Sequence, residues 1–304
     1  MASRSPTIIQ YPGSKAKIAT RILRECAPPA EPTTLVDAMC GSAAWGLVAH
    51  AAYPRARLWL NDISADLVRV LVAIRDHPER LARQLELTPY SRWLWRQLRS
   101  RSRDGKRAGR DAGDVDLACA DVLDWLILNL QSVGGTSSTV LPSTGWSRDL
   151  LGKNFRQWHR LPNLLRAMSR ELCANTVIEC LDFEDLLFGG KGQRFGVDSP
   201  TTWVYVDPPY PGREHYYGQA GGVEFHQRLA SVLSRCQSWV TVSYADTPEY
   251  RATVAPLYRD WHRVEFTAVQ YMSVRGKGIS KSTRVEVLLC NYAPGQGALA
   301  MEAS

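Results

Sequence analysis

Leu35-Val36-Asp37-Ala38-Met39-Cys40-Gly41-Ser42-Ala43-Ala44-Trp45-Gly46 reads as strand, tight turn, helix. Residues 35–38 form a short apolar run of the kind that fills a buried strand. Gly41 tolerates positive φ and lets the backbone approach a ligand closely. The helix that follows, over 44–52, opens with N–H groups that lack a helical partner. Next comes Arg57-Leu58-Trp59-Leu60-Asn61-Asp62, a second short strand ending in an acid. In doubly wound α/β folds, an acid about 20 residues past the glycine turn hydrogen-bonds ribose hydroxyls. Asp62 has that spacing from Gly41. No full G-x-G-x-x-G is present, because Ala43 and Ala44 stand where further glycines belong, so a dinucleotide is not favoured. By itself the pattern fits a plain βαβ unit equally well.

The second signal lies far downstream. Thr202-Trp203-Val204-Tyr205-Val206 is a buried strand by composition, and Asp207-Pro208-Pro209-Tyr210 follows it. Each proline lacks an N–H and fixes φ near −65°. Proline also keeps the preceding residue out of the α region. The elbow is therefore stiff, with one carboxylate and one carbonyl side by side. Together they can accept both hydrogens of an –NH2 group, and the Tyr210 ring can stack on a flat heterocycle. The plain alternative is a strand ending in a Pro-Pro turn.

Four segments in order resemble the Dam-type DNA N6-adenine methyltransferases, which use S-adenosylmethionine (AdoMet). Tyr11-Pro12-Gly13-Ser14-Lys15 resembles the family's Tyr-x-Gly-Gly-Lys, and 37–46 its AdoMet motif. Residues 206–210 resemble the catalytic Asp-Pro-Pro-Tyr, and Arg284-Val285-Glu286-Val287-Leu288 the closing strand. The likeness spans 8–292. Met39 and Ala43 depart from the AdoMet motif, and Leu130 and Val133 depart from the family's Asn-Arg-x-x-Phe-Asn-Gly stretch.

The resemblance implies an α/β fold: a Rossmann-like AdoMet-dependent methyltransferase sheet with an inserted helical target-recognition lobe. It implies a site-specific DNA adenine methyltransferase, with AdoMet as cofactor and double-stranded DNA as partner, bound as a monomer. Asp207, Pro208, Pro209 and Tyr210 are then catalytic. Asp207 and the Pro208 carbonyl accept from the amino nitrogen of an extruded adenine, and Tyr210 stacks on that base. Asp62 holds the ribose, Asp182 reads the cofactor's adenine amino group beside Phe183, and Tyr11 and Lys15 close over the cofactor. Asp37 and Gly41 line its methionine end. Three of these carry a structural alternative: Asp182 as a helix cap, Lys15 as a surface lysine, and Asp62 as a cap for the helix of Asp66. Two other functions compete, an RNA base N-methyltransferase and a catalytically inactive nucleic-acid-binding relative.

The chain has 304 residues, enough for one large α/β domain or a core plus a lobe. A net charge of +7 favours a polyanionic partner modestly. The seven cysteines lack C-x-x-C pairing, which argues against a zinc site or disulfide frame and for a reducing cytoplasm; the resemblance implies that of a bacterium or of a phage host. No metal and no membrane partner are expected, since no apolar run reaches ~18 residues.

Strands are predicted over 35–38, 57–61, 176–180, 202–206, 239–243, 264–267 and 283–289, and helices over 14–26, 44–52 and 65–75. Residues 1–75 and 176–293 then form the catalytic, AdoMet-binding domain. Residues 76–175 form a helical insertion that reads DNA, with an amphipathic helix over 117–130, and 294–304 form a loose tail. Within the insertion, 99–110 reads as a basic loop, its glycines Gly105 and Gly109 breaking any helix. Arg99, Arg101, Arg103, Lys106, Arg107 and Arg110 are placed to touch phosphates. Gln131, Ser132, Arg148 and Lys153 are further candidates for the nucleic-acid face. Tyr90, Trp93 and Trp95 read as packing residues in preference to base-stacking ones, and 275–278 as a glycine-rich hairpin within reach of phosphate.

Overall fold

In the computed structural model, residues 7–11, 13–103, 115–132, 145–147, 158–173, 175–190, 196–212, 222–274 and 278–295 are described. Their seven strands form one sheet. In chain order they are β1 (Thr34–Asp37), β2 (Arg57–Asn61), β3 (Thr176–Glu179), β4 (Thr202–Val206), β5 (Trp239–Ala245), β6 (His262–Val274) and β7 (Gly278–Cys290). The spatial order is β3-β2-β1-β4-β5-β7-β6. The first five run parallel, and β7 is antiparallel to both β5 and β6. This is the Rossmann-like α/β sheet expected from the sequence. Its connections leave β1 toward β2 on one side and reach β4 on the other, which makes a topological switch point at the carboxyl ends of β1 and β4. Ligands of open α/β sheets bind at such a point.

Side chains alternate across the central strands because both faces of a parallel sheet are covered. Leu35, Trp203, Tyr205 and Leu288 enter one core cluster. Val36, Val204, Val206, Val287 and Leu289 enter the other. The first cluster is roofed by α1 (Ala19–Glu25), α2 (Ala44–Ala52) and α3 (Ala65–Asp76). The second is roofed by α8 (Phe183–Phe188), α9 (Val223–Leu233) and α10 (Pro248–Thr253).

Between β2 and β3 the chain forms α4 (Pro78–Glu86), α5 (Arg92–Arg103), α6 (Val115–Gln131) and α7 (Leu161–Cys173). Leu81, Cys119, Val122, Leu126, Leu165 and Met168 from these helices join the core cluster of Leu35 and Trp203. The helical segment therefore shares the sheet's core. Among the described residues, Trp95, Leu98, Ile127 and Leu128 make a small cluster of their own.

Three expectations are corrected. The first helix begins at Ala19, not at 14, because 14–18 turns inward to bury Lys15. Residues 99–103 continue α5 instead of opening a loop. β6 and β7 are thirteen residues each, paired from His262↔Cys290 to Val274↔Gly278, well beyond 264–267 and 283–289. Lys106, Arg107, Arg110, Arg148, Lys153 and most of the 275–278 hairpin lie outside the described residues. At the start of the tail, the Gly295 amide donates to the Ala27 carbonyl at 2.9 Å.

Candidate active site

The turn after β1 is built from strain and close approach. Gly41 has φ +49°, and a Cβ there would lie 2.8 Å from the Tyr11 ring. Ala43, which caps α2, is also left-handed at φ 57°. That conformation costs an L-residue roughly 1–2 kcal/mol, and the tight Ala43 N–H bond to the Cys40 carbonyl (2.7 Å) holds it. Below the turn, Trp45 stacks on Tyr205 of β4 with centroids 4.5 Å apart. A Cβ on Gly46 would meet the Leu60 side chain at 2.6 Å, so α2 packs close against β2 there.

Acids collect at the carboxyl ends of the strands. Asp37 is buried and accepts from the Gly46 amide at 2.9 Å. Burial, with Asp207 and Asp62 nearby, pushes its pKa up to about 8 against the pull of that amide. Asp62 accepts from the Gly41 amide at 2.9 Å with one oxygen and from the Ser64 amide at 2.9 Å with the other. Burial raises its pKa as well. The helix cap of α3 is Ser64, not Asp62. Asn61 stitches the edge together, donating to the Ala38 and Leu181 carbonyls and accepting from the Leu181 amide.

On the other flank, Asp182 does cap α8, accepting from the Glu184 amide at 3.0 Å. It also pairs with both terminal nitrogens of Arg228, at 3.0 and 2.5 Å. Burial would raise its carboxyl, but Arg228 and the cap bond hold it below the ordinary range. Phe183 is buried beneath the Arg228 guanidinium, 4.6 Å from its ring centroid, with Phe225 edge-on.

The proline elbow faces these groups. Lys15, only 3 % exposed, donates to both Asp207 oxygens at 2.6 and 2.7 Å and to the Tyr210 hydroxyl at 2.9 Å. Lys15 is thus no surface lysine, and its ammonium occupies the acceptor that an –NH2 group would use. Glu286 of β7, fully buried, lies 3.4 Å from the same ammonium. It also accepts from Tyr210 at 2.8 Å and from Ser243 at 2.6 Å. Burial would lower the Lys15 pKa, but Asp207 and Glu286 hold it above its usual value. Burial raises the Asp207 carboxyl against the pull of Lys15. For Glu286, Lys15 and Arg284 outweigh burial and keep it low.

Tyr210 departs from expectation. It is 8 % exposed, its hydroxyl is tied to Lys15, Ser243 and Glu286, and its ring leans on Tyr244. A ring anchored inward by three polar partners does not present a stacking face here. Asp207 and Pro209 line the cavity, while Pro208 is buried beside them.

One cavity of ≈ 710 Å³ joins the two halves. Of the expected site residues, Tyr11, Lys15, Asp37, Gly41, Asp62, Asp182, Phe183, Asp207 and Pro209 line it. Arg228, Phe225, Asn61 and Tyr205 line it too and were not anticipated. Among the described residues no group of His, Cys, Asp or Glu is arranged to hold a metal ion, and no helix is long and apolar enough to cross a membrane.

The nucleic-acid candidates are dispersed. Gln131 and Ser132, expected on the nucleic-acid face, are fully buried. Gln131 accepts from the Ser91 amide and the Trp146 indole and donates to the Pro89 carbonyl. Ser132 accepts from the Trp95 indole at 2.8 Å and donates to the Leu128 carbonyl. Their polarity satisfies the interior, not a partner. Arg101 is exposed and paired with Asp124 at 3.2 Å, Arg99 lies over the Trp95 ring, and Arg103 ends α5. The missed contributor is Asn129 on α6, whose amide brackets the Gln10 backbone at 2.9 and 2.7 Å and so pins the arm that carries Tyr11 and Lys15.

No family model matches the chain, and no curated protein matches it. Solved structures do match over most of its length. A precorrin-6y C5,15-methyltransferase from Geobacter metallireducens GS-15 is 8 % identical, with 91 % of this chain and 87 % of that one covered, at a TM-score of 0.39. Two structures of the rRNA methyltransferase aviRa from Streptomyces viridochromogenes are 18 % and 17 % identical. They cover 93 % and 92 % of this chain and 87 % and 86 % of theirs, at TM-scores of 0.35 and 0.36.

Proposed function

We propose that this chain is an AdoMet-dependent methyltransferase acting on the exocyclic N6 of adenine in duplex DNA, with the base flipped into the site. The observation that carries the proposal is the shared cavity: the Asp207 elbow and the Gly41 turn are two walls of one space. Its volume of ≈ 710 Å³ suits a ligand of nucleoside size with room for a second ring. The donor set fits AdoMet. Buried acids at Asp37 and Asp62 match a hydroxyl-bearing ligand, and Gly41 admits it close to the backbone. Tyr11, Asp37 and Gly41 would hold the methionine end, Asp62 the ribose, and the side of the cavity lined by Phe183 and Phe225 the purine, once Arg228 has left the Phe183 ring.

When bound, AdoMet supplies a methyl group activated on a sulfonium. An adenine amino nitrogen is a poor nucleophile because its lone pair is delocalised into the ring. Asp207 accepts one of its hydrogens and the Pro208 carbonyl the other, which returns electron density to nitrogen. Lys15 must leave Asp207 for this to happen, and Glu286, 3.4 Å away, is the carboxylate that receives it. The site thereby keeps its charge balance. The nitrogen gains a methyl and loses a proton, which Asp207 takes toward solvent. Alignment of donor and acceptor across the cavity supplies the rest of the acceleration.

Calorimetry with AdoMet and methyl-label transfer to duplex DNA and to total RNA test the proposal. One AdoMet per chain is expected, with affinity at least tenfold weaker in Asp62→Ala. Transfer to DNA is expected, and loss of transfer in Asp207→Ala with AdoMet binding retained. Label appearing in RNA alone would replace the DNA reading, and DNA binding without transfer would remove the enzymatic one.

A further inference from the structure

The outward face of α5 is the feature the site leaves unexplained. Arg92–Arg103 is a twelve-residue helix with five arginines and no acid. Trp95 and Leu98 turn inward against Ile127 and Leu128. Trp93 turns outward and is 70 % exposed. Arg96, Gln97 and Ser100, three, four and seven residues on, are exposed beside it on the same face. Arg92, Arg96 and Arg99 form a second stripe with the same helical spacing. Two of these guanidiniums are ordered on indoles, Arg92 over Trp146 at 4.8 Å and Arg99 over Trp95 at 4.9 Å.

We propose that this face of α5 docks on duplex DNA, with the arginines on phosphates and the Trp93 indole against sugar and base edges. The proposal rests on the nucleic-acid reading of the active site. A solvated basic helix needs no exposed tryptophan, whereas a groove offers an apolar floor between charged walls. From Arg92 to Arg103 the helix rises about 16 Å, which carries its arginines across a major groove about 12 Å wide. The deep, narrow major groove of A-form RNA does not admit it. α5 is also close to the cavity through a short chain of contacts. Trp95 is bonded to Ser132 on the helix end that carries Asn129, and Asn129 grips Gln10, next to the cavity-lining Tyr11. The inward side of α5 is thus linked through α6 to the arm that closes the site.

Anisotropy titrations of a short labelled duplex at several salt concentrations test this, using Trp93→Ala and Arg96→Gln. AdoMet calorimetry, methyl transfer and titration against phosphatidylglycerol vesicles run in parallel. Arg96→Gln is expected to weaken binding and lower the salt slope by about 1. Trp93→Ala is expected to weaken it about tenfold at an unchanged slope. Both should bind AdoMet normally. Duplex affinity equal to wild type in both variants overturns the proposal. So does a loss confined to the vesicles. If the variants lose duplex affinity while the wild type methylates no nucleic acid, the surface stands and the enzymatic reading fails. If they methylate and bind as wild type, the reverse holds.

Discussion

Asp37 shows how a single residue trades stability for a site. Its carboxyl titrates at the ordinary 3.8 when unfolded and at about 8 when folded, chiefly through burial. Between those values the folded protein holds a proton that the unfolded chain has released. Stability therefore falls as pH rises through that window, and above about 8 the full cost of a buried charge is present. Across the window each pH unit costs up to ~1.4 kcal/mol. Asp37→Asn keeps an acceptor for the Gly46 amide and removes the titration. Its melting temperature should fall less than wild type between pH 4 and 8, measured without ligand; an unchanged slope would place the titration elsewhere. The identity of Asp37 as a site residue was legible in its place at a strand end before a glycine. Its proton was not, because that depends on burial first, with Asp207 and Asp62 adding to it, and all three arise only in the fold. The Lys15–Asp207 pair was equally hidden: spacing along the chain says nothing of partners 192 residues apart.

Among the elements, the N-terminal arm is the one that tertiary contacts most clearly override. A helix over 14–26 satisfies propensity, but the chain delays it to Ala19 so that Lys15 reaches Asp207 and Tyr11 covers Gly41. Asn129 secures this arm from α6 with two hydrogen bonds to Gln10. Asn129→Ala leaves that backbone pair without its partner, at a cost of about 1–3 kcal/mol. Faster amide exchange over 8–15 and weaker AdoMet binding are expected; unchanged exchange there would show that the arm is held by other contacts. The β1–turn–α2 unit was readable because glycine, apolar run and helix former each agree locally. The length of β6 and β7 was not, because polar residues such as Gln270 and Ser282, which face each other in the ladder, interrupt their apolar pattern. Gln131 and Ser132 misled for the opposite reason: polar side chains were read as surface, yet they satisfy buried neighbours in α5 and α6.

For the molecule as a whole, the sheet order gathers three candidate acids at the carboxyl ends of its strands. Asp37 ends β1, Asp62 and Asp207 follow β2 and β4 directly, and the switch between β1 and β4 opens the cavity among them. The helices between β2 and β3 add to the same core and hold the arm over it. The activity proposed for this end of the sheet is transfer of a methyl group onto the amino nitrogen of adenine. Mass analysis of nucleosides from duplex DNA incubated with AdoMet and either wild type or Asp207→Ala reads that transfer. N6-methyladenine from the wild type alone is the expected result. No methylated adenine from duplex DNA, or equal amounts with Asp207→Ala, would contradict it.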